Sequence, residues 1–150
     1  MLRMPLLLLT TALIALPSQA GVLDWLGLSP EPAASHSSFL PVEQAFVLTS
    51  KQTPAGLQLE FAMAPGYYLY RHRLSVSPNN ARFGDWALPD GTAHEDEYFG
   101  KTRVYYQSLA LTVPLQQVMP NGEAEIRYQG CTTGLCYPPQ QVSIPLAPLR

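Results

Sequence analysis

Proline and glycine interrupt this chain so often that long helices are disfavoured. The 150 residues include 15 prolines and 10 glycines. Proline removes a backbone donor and clashes with the preceding helical turn, and both residues are common in turns. Four clusters mark candidate turns: Pro65-Gly66, Pro78-Asn79-Asn80, Pro89-Asp90-Gly91 and Pro120-Asn121-Gly122. This punctuation favours short β-strands joined by turns.

The clearest strand signal is a two-residue alternation of apolar and other residues over 57–63. Its apolar members are Leu57, Leu59, Phe61 and Met63, the pattern of a half-buried strand. Further strands are predicted at Ala45–Leu48, Tyr67–Tyr70, Leu109–Val113, Ala124–Tyr128 and Val142–Ile144. Candidate strands at intervals of about ten residues are typical of β-sandwiches. We therefore expect an all-β, immunoglobulin-like antiparallel sandwich.

The overall composition excludes two broad classes of protein. Hydrophobic residues make up 47% of the chain and charged residues 13%, whereas disorder requires low hydrophobicity and high net charge. The formal net charge is −2. Without a basic excess to neutralise phosphates, no nucleic-acid partner is expected.

The N-terminus has the layout of a secretory signal peptide. Arg3 precedes the apolar run Leu6–Leu16, and Pro17-Ser18-Gln19-Ala20 supplies a helix breaker and small residues for cleavage. We predict a signal peptide over 1–20, a flexible arm over 21–38 and one domain over 39–150. Export to the periplasm would place the chain where disulfides persist.

Two cysteines carry most of the chemical information. Cys131 and Cys136 are separated by four residues, and Gly134 permits the tight turn that would bring their sulfurs together. A structural disulfide is the default in exported proteins, although so short a loop stabilises the fold by only about 2 kcal/mol. A redox-active pair is the second interpretation. A metal site is weaker, because two more ligands would be needed and no Cys or His lies near in sequence.

Three motifs resemble the N-terminal periplasmic domain of the thiol:disulfide interchange protein DsbD. Tyr128–Pro139 (YQGCTTGLCYPP) resembles the active-site hairpin of that family, and His94–Lys101 (HEDEYFGK) resembles its cap loop. Gly66–Arg71 (GYYLYR) is similar to its aromatic strand. The order and spacing of the motifs also match, and the similarity covers about Phe39 to Leu146. Two departures are a cysteine loop shorter by one residue and the order Tyr98-Phe99, where the family has Phe before Tyr.

The resemblance implies an immunoglobulin-like fold with an inserted active-site hairpin and cap loop. It also implies thiol–disulfide exchange without a cofactor or metal. Electrons would come from a membrane donor and a thioredoxin-like domain, in the same protein or a separate chain. They would pass to exported thioredoxin-fold proteins, namely a periplasmic disulfide isomerase and a cytochrome c maturation factor. The alternative is a non-catalytic, exported, immunoglobulin-like binding module with a structural disulfide.

The same resemblance gives individual residues expected roles. Cys136 would form the mixed disulfide with a partner, and Cys131 would resolve it. Asp96 and Glu97 would lie near the sulfurs and raise the thiol pKa, or a protonated carboxyl could instead shuttle the proton. The hydroxyls of Tyr68 and Tyr70 would contact these acids or the sulfurs. In the cap, Tyr98 would cover the sulfurs, Phe99 would pack behind it and Gly100 would act as a hinge. His94 is interpreted as structural, and His36 and His72 as surface residues.

Overall fold

The computed structural model describes residues 39–149, which form a β-rich domain. The predicted signal peptide and arm over 1–38, and Arg150, lie outside the described residues. One short helix, α1 (Val42–Ala45), precedes the sheets, and a 3₁₀ turn (Arg71–Arg73) follows the third strand. The strands are β1 (Phe46–Thr53), β2 (Gly56–Met63), β3 (Tyr67–Tyr70), β4 (Ser75–Phe83), β5 (Thr92–Asp96), β6 (Gly100–Tyr106), β7 (Ser108–Val113), β8 (Leu115–Tyr128), β9 (Gly130–Thr132), β10 (Leu135–Cys136) and β11 (Gln140–Pro145).

The strands form three antiparallel sheets, with orders β1-β2-β7, β10-β9-β3-β6-β5 and β11-β8-β4. The alternation over 57–63 has the predicted effect, because the side chains of Leu57, Leu59, Phe61 and Met63 are buried while those between them are exposed. The predicted strands at 67–70, 109–113, 124–128 and 142–144 are confirmed. The first strand starts at Phe46, because Ala45 still belongs to α1. Within residues 39–149, no helix is long and apolar enough to span a membrane.

Two of the four predicted turns are wrong. Pro78-Asn79-Asn80 lies inside β4 and Pro120-Asn121-Gly122 lies inside β8. The two segments face each other in a wide irregularity of the β4–β8 pair, where Asn80 alone opposes residues 119–122. Positive φ angles of 48° at Asn80 and 58° at Asn121 absorb the extra residues. The turn-forming residues therefore bend a paired ribbon and do not end its strands.

The predicted cap loop is also different in detail, because most of it is a β-hairpin. His94 pairs with Thr102 and Asp96 with Gly100, which leaves only residues 97–99 as the turn. Gly100 adopts a positive φ of 63°, a conformation that glycine takes without steric cost. The hairpin explains why the cap has a defined position beside the rest of the five-stranded sheet.

The central strand of the five-stranded sheet, β3, is buried on both faces, and this arrangement creates the site. All four residues of β3 are buried. Tyr67 and Leu69 belong to the main core, which also contains the inward faces of the other two sheets. Tyr68 and Tyr70 point to the opposite face, as their two-residue spacing predicts, and form a second cluster with Val104 and Cys131. The second cluster therefore lies outside the main core.

Candidate functional site

A two-stranded hairpin brings the cysteines together. Cys131 on β9 and Cys136 on β10 are directly opposite in the antiparallel register and form a disulfide, with their Cα atoms 4.1 Å apart. Gly134 takes a φ of 84° in the connecting turn, as expected from the sequence. The backbone N–H of Tyr137 donates to the carbonyl of Gly130 at 3.0 Å and closes the hairpin. The short loop thus pairs the sulfurs through regular strand geometry.

Gly130 lets this hairpin sit tightly against the domain. A Cβ atom at that position would collide with the ring of Phe46 and would lie 2.7 Å from the carbonyl oxygen of Tyr68. Phe46 is itself a fully packed member of the main core. The absent side chain therefore allows β9 to pair with β3 while the core aromatic passes beneath it.

The two cysteines differ in accessibility. Cys131 is 0% exposed, because β9 lies between β10 and β3. Cys136 is partly exposed on β10, which is the edge strand of its sheet. Of the two sulfur-bearing residues, only Cys136 is open to a docking molecule.

Asp96 connects the cap hairpin to the aromatic strand. Its Oδ2 accepts hydrogen bonds from the hydroxyls of Tyr68 at 3.0 Å and Tyr70 at 2.5 Å. Its Oδ1 accepts the backbone N–H groups of Tyr98 at 3.0 Å and Phe99 at 2.8 Å. Burial by itself would raise the pKa of Asp96, but these four hydrogen bonds outweigh it and lower the pKa to about 2. Asp96 is therefore a carboxylate at neutral pH.

Tyr70 lies between this carboxylate and the disulfide. Its hydroxyl oxygen is 3.7 Å from the Sγ of Cys136. Burial, followed by hydrogen bonding to Asp96, raises the pKa of Tyr70, and burial is also the main reason why the pKa of Tyr68 rises to about 12. Because the one hydroxyl proton of Tyr70 is donated to Asp96, only the oxygen lone pairs face the sulfur. This arrangement favours a protonated Cys136 thiol over a thiolate.

Phe99, and not Tyr98, is the cap residue that packs on the sulfur-bearing cluster. The Phe99 side chain packs against the cluster of Tyr68, Tyr70, Val104 and Cys131. Tyr98 is 38% exposed. The expected order, with Tyr98 over the sulfurs and Phe99 behind, is thus reversed.

Phe99 is held by three neighbours. Its ring centroid lies 4.7 Å from that of Tyr70 and 5.1 Å from that of His72. The guanidinium carbon of Arg73 lies 4.7 Å from the centre of the Phe99 ring, within the range of a cation–π contact. The 3₁₀ turn after β3 therefore holds the Phe99 ring in place through contacts with His72 and Arg73.

The structure changes the expected roles of several other residues around the site. Glu97 is exposed beside the Tyr98 side chain and is not among the groups that contact Asp96 or the sulfurs. His72 and Arg73 were missed as site residues, although His72 continues the two-residue step of Tyr68 and Tyr70. His94 was interpreted as structural, but its Nε2 is 3.2 Å from Oδ2 of Asp96. Within residues 39–149, no group of three or more His, Cys, Asp or Glu side chains could hold a metal ion.

The low pKa of Asp96 predicts a specific loss of stability in acid. A carboxyl whose pKa falls on folding stabilises the native state above its ordinary pKa of 3.8, and that stabilisation is lost as the pH falls through about 2. The side chain is only 10% exposed, so the contribution is expected to be about 2 kcal/mol. Denaturant unfolding should show that the free energy of unfolding of the wild type exceeds that of Asp96→Asn at pH 5, and that this difference disappears as the pH falls to 2. Glu97→Gln is the matched control, and an Asp96→Asn difference that does not change with pH would contradict the prediction.

Residues 36–148 match the family model of the thiol:disulfide interchange protein DsbD, N-terminal. DsbD of Yersinia enterocolitica is 41% identical over 115 residues, which are 76% of this chain and 20% of that protein. DsbD of Haemophilus ducreyi is 37% identical over 148 residues, which are 99% of this chain and 24% of that protein. The chain thus spans a fifth to a quarter of the length of these relatives.

Two solved structures from Neisseria meningitidis are also similar. The reduced form of its DsbD N-terminal domain gives a TM-score of 0.65 at 28% identity, covering 73% of this chain and 90% of that domain. The same domain in complex with the PilB N-terminal domain gives a TM-score of 0.61 at 30% identity, covering 71% and 86%. The immunoglobulin-like sandwich predicted from the sequence is confirmed.

Proposed function

This chain belongs to the family of the DsbD N-terminal domain, and from that premise we propose that it passes electrons by thiol–disulfide exchange through Cys131 and Cys136. The observation that carries the proposal is the unequal exposure of a cross-strand disulfide. A buried sulfur and a partly exposed one are suited to resolving and attacking roles, respectively.

The exchange would run in two displacements. The Cys136 thiol loses its proton, and its sulfur attacks one sulfur of a partner disulfide, which breaks and releases the other partner sulfur as a thiolate. The Cys131 sulfur then attacks Cys136, which re-forms the internal disulfide and releases the second partner thiolate. Two electrons and two protons move from this chain to the partner, whose two sulfurs become thiols. A membrane donor with a thioredoxin-like domain would return the chain to its dithiol form.

The residues around the sulfurs would keep the reduced pair unreactive until a partner docks. The Tyr70 hydroxyl, with its proton held by Asp96, can accept a hydrogen bond from the Cys136 thiol but cannot donate one to the thiolate. The Phe99 ring would cover the pair against small oxidants. Gly100 would serve as the hinge on which residues 97–99 move away.

The proposed partners are exported thioredoxin-fold proteins, including a disulfide isomerase and a cytochrome c maturation factor. The complex between the Neisseria DsbD N-terminal domain and the PilB N-terminal domain supports a protein as the exchange partner. We propose the periplasm as the compartment, reached by cleavage of the signal peptide after Ala20. Disulfide chemistry can persist in that compartment.

A transfer assay tests the proposal. Chemically reduced chain is mixed with the disulfide form of a thioredoxin-fold isomerase, and the thiols of each protein are counted after acid quenching. The proposal predicts that the isomerase gains two thiols for each chain that becomes oxidised. A partner that remains oxidised, beside a chain that keeps both thiols, would support a non-catalytic binding module instead.

A further inference from the structure

The polar contacts at Asp96 continue beyond it, away from the disulfide. The imidazole Nε2 of His94 lies 3.2 Å from Oδ2 of Asp96, the same oxygen that accepts the Tyr70 hydroxyl. The other ring nitrogen, Nδ1, is 2.8 Å from the hydroxyl oxygen of Tyr106. Five side chains therefore form a continuous row from Cys136 through Tyr70, Asp96 and His94 to Tyr106.

His94 is held in a way that core packing alone does not explain. Its Nε2 is buried and, among the residues that the structure describes, has no hydrogen-bond partner, although Asp96 is at ion-pair distance. A buried polar atom without a hydrogen bond is uncommon and is costly in a purely structural position. The ring is fixed by Tyr68, whose centroid is 4.4 Å away. A rigid imidazole thus presents an unsatisfied nitrogen to the carboxylate.

The outer end of the row reaches solvent. Tyr106 is 41% exposed, whereas at the sulfur end of the row Cys136 is only partly exposed and, like Phe99, packs against the second cluster. A docked partner would cover the exposed part of Cys136, so a proton released there would then have no direct access to water. The row offers it an internal route.

We propose that His94 is a positioning residue of the exchange reaction and takes up, through Asp96 and Tyr70, the proton that leaves the Cys136 thiol. This inference rests on the exchange function proposed above. The thiol proton moves to the Tyr70 oxygen as the Tyr70 proton moves to Asp96 Oδ2, and the Asp96 proton moves to Nε2 of His94. The Cys136 electron pair then forms the bond to the partner sulfur, and the departing partner sulfur keeps the electron pair of the broken bond.

The proton that left Cys136 is balanced by one released to solvent at the Tyr106 end of the row. His94 holds the extra proton as imidazolium beside the Asp96 carboxylate until Nδ1 releases one proton toward the Tyr106 hydroxyl and solvent. The reduced partner takes its protons from the same solvent. Imidazole is suited to this task because one ring nitrogen can accept a proton while the other donates one. The titratable groups that face the ring are Asp96 on its own strand, Tyr68 on β3 and Tyr106 on β6.

The pH profile of the exchange rate tests the relay. Reduced full-length chain is mixed with an aromatic disulfide, 5,5′-dithiobis(2-nitrobenzoate), and the initial rate is followed from pH 5 to pH 9. The wild-type rate should change with pH in a step that depends on His94. His94→Gln, which keeps a polar group near Tyr106 but cannot carry the proton, should lose the step and react about tenfold more slowly at pH 7. Glu95→Gln removes an exposed charge next to His94, and this variant should keep the step in the rate–pH profile.

A second variant protects the test against misfolding of His94→Gln. Tyr106→Phe keeps the ring and leaves His94 in place, but it removes the hydroxyl at the outlet. In this variant, the midpoint of the step in the rate–pH profile should move by at least about half a pH unit. Near-ultraviolet circular dichroism confirms that each variant is folded. A profile that is unchanged in Tyr106→Phe, or in folded His94→Gln, would overturn the relay.

The relay and the proposed function fail in different experiments. If the wild type reduces an isomerase disulfide and His94→Gln has the wild-type profile with the small disulfide, the relay is wrong and the function stands. If the small-disulfide profile depends on His94 but the isomerase is never reduced, the proton route is supported and the partner function is wrong.

Discussion

Cys131→Ala is expected to trap a covalent complex with an exported thioredoxin-fold partner through Cys136, and to abolish turnover. The buried Cys131 cannot then resolve the mixed disulfide, while the partly exposed Cys136 can still form it. Non-reducing electrophoresis should show a band with the summed mass of the two proteins. Added dithiol should separate them.

Cys136→Ala is the matched control, since it removes the same bond but leaves only the buried sulfur. It should trap far less complex, because the 0% exposed Cys131 has no open approach. Either variant should lose only about 2 kcal/mol of stability from the short loop, so both should stay folded. Equal trapping by the two variants would contradict the assigned roles, and full turnover without both cysteines would exclude the redox function.

Phe99→Ala is expected to make the reduced protein react with small disulfides about tenfold faster. The Phe99 ring packs on the cluster that contains the sulfurs, and it is held there by Tyr70, His72 and Arg73. Removing the ring admits water and small reagents to Cys136. Stopped-flow measurement of reduced protein against an aromatic disulfide gives the rate.

Tyr98→Ala is the control at the neighbouring residue. It distinguishes a cap in which Phe99 shields the sulfurs from one in which Tyr98 does. With a side chain that is 38% exposed, Tyr98 should contribute little shielding, and its removal should change the rate less than twofold. Tyr105→Ala reports on general loosening, since Tyr105 packs in the main core. Rates are compared at equal folded fractions. If Tyr98→Ala accelerates the reaction and Phe99→Ala does not, the arrangement expected from the family motif is correct.

The fold could be predicted wherever one face of a strand is buried. The alternation over 57–63 defines β2, because only one face of that strand meets the core. The turn residues were a less reliable guide at Asn80 and Asn121, because such residues can also be accommodated by a bulge between paired strands. Nothing local in the sequence distinguishes the two outcomes.

The site was predictable in its chemistry and less so in its contacts. The cysteine spacing and Gly134 anticipate the hairpin, and the step from Tyr68 to Tyr70 anticipates their shared face. Whether Tyr98 or Phe99 packs on the sulfur-bearing cluster depends on the three-dimensional path of the turn at residues 97–99, which spacing alone does not give. The contacts of His94 and His72 depend on strands from distant parts of the chain, so neither could be assigned a partner from spacing.

The reduction potential of the Cys131–Cys136 pair tests the central claim most directly. The pair is equilibrated with dithiol buffers of known potential, and the oxidised and reduced fractions are separated after thiol alkylation. A pair that exchanges with partners should have a potential above about −300 mV, whereas structural disulfides of exported proteins lie below it. A midpoint above that value, reached reversibly, is the predicted result. A disulfide that stays intact until the potential of the buffer is well below −300 mV would contradict the account, and it would identify the bond as purely structural.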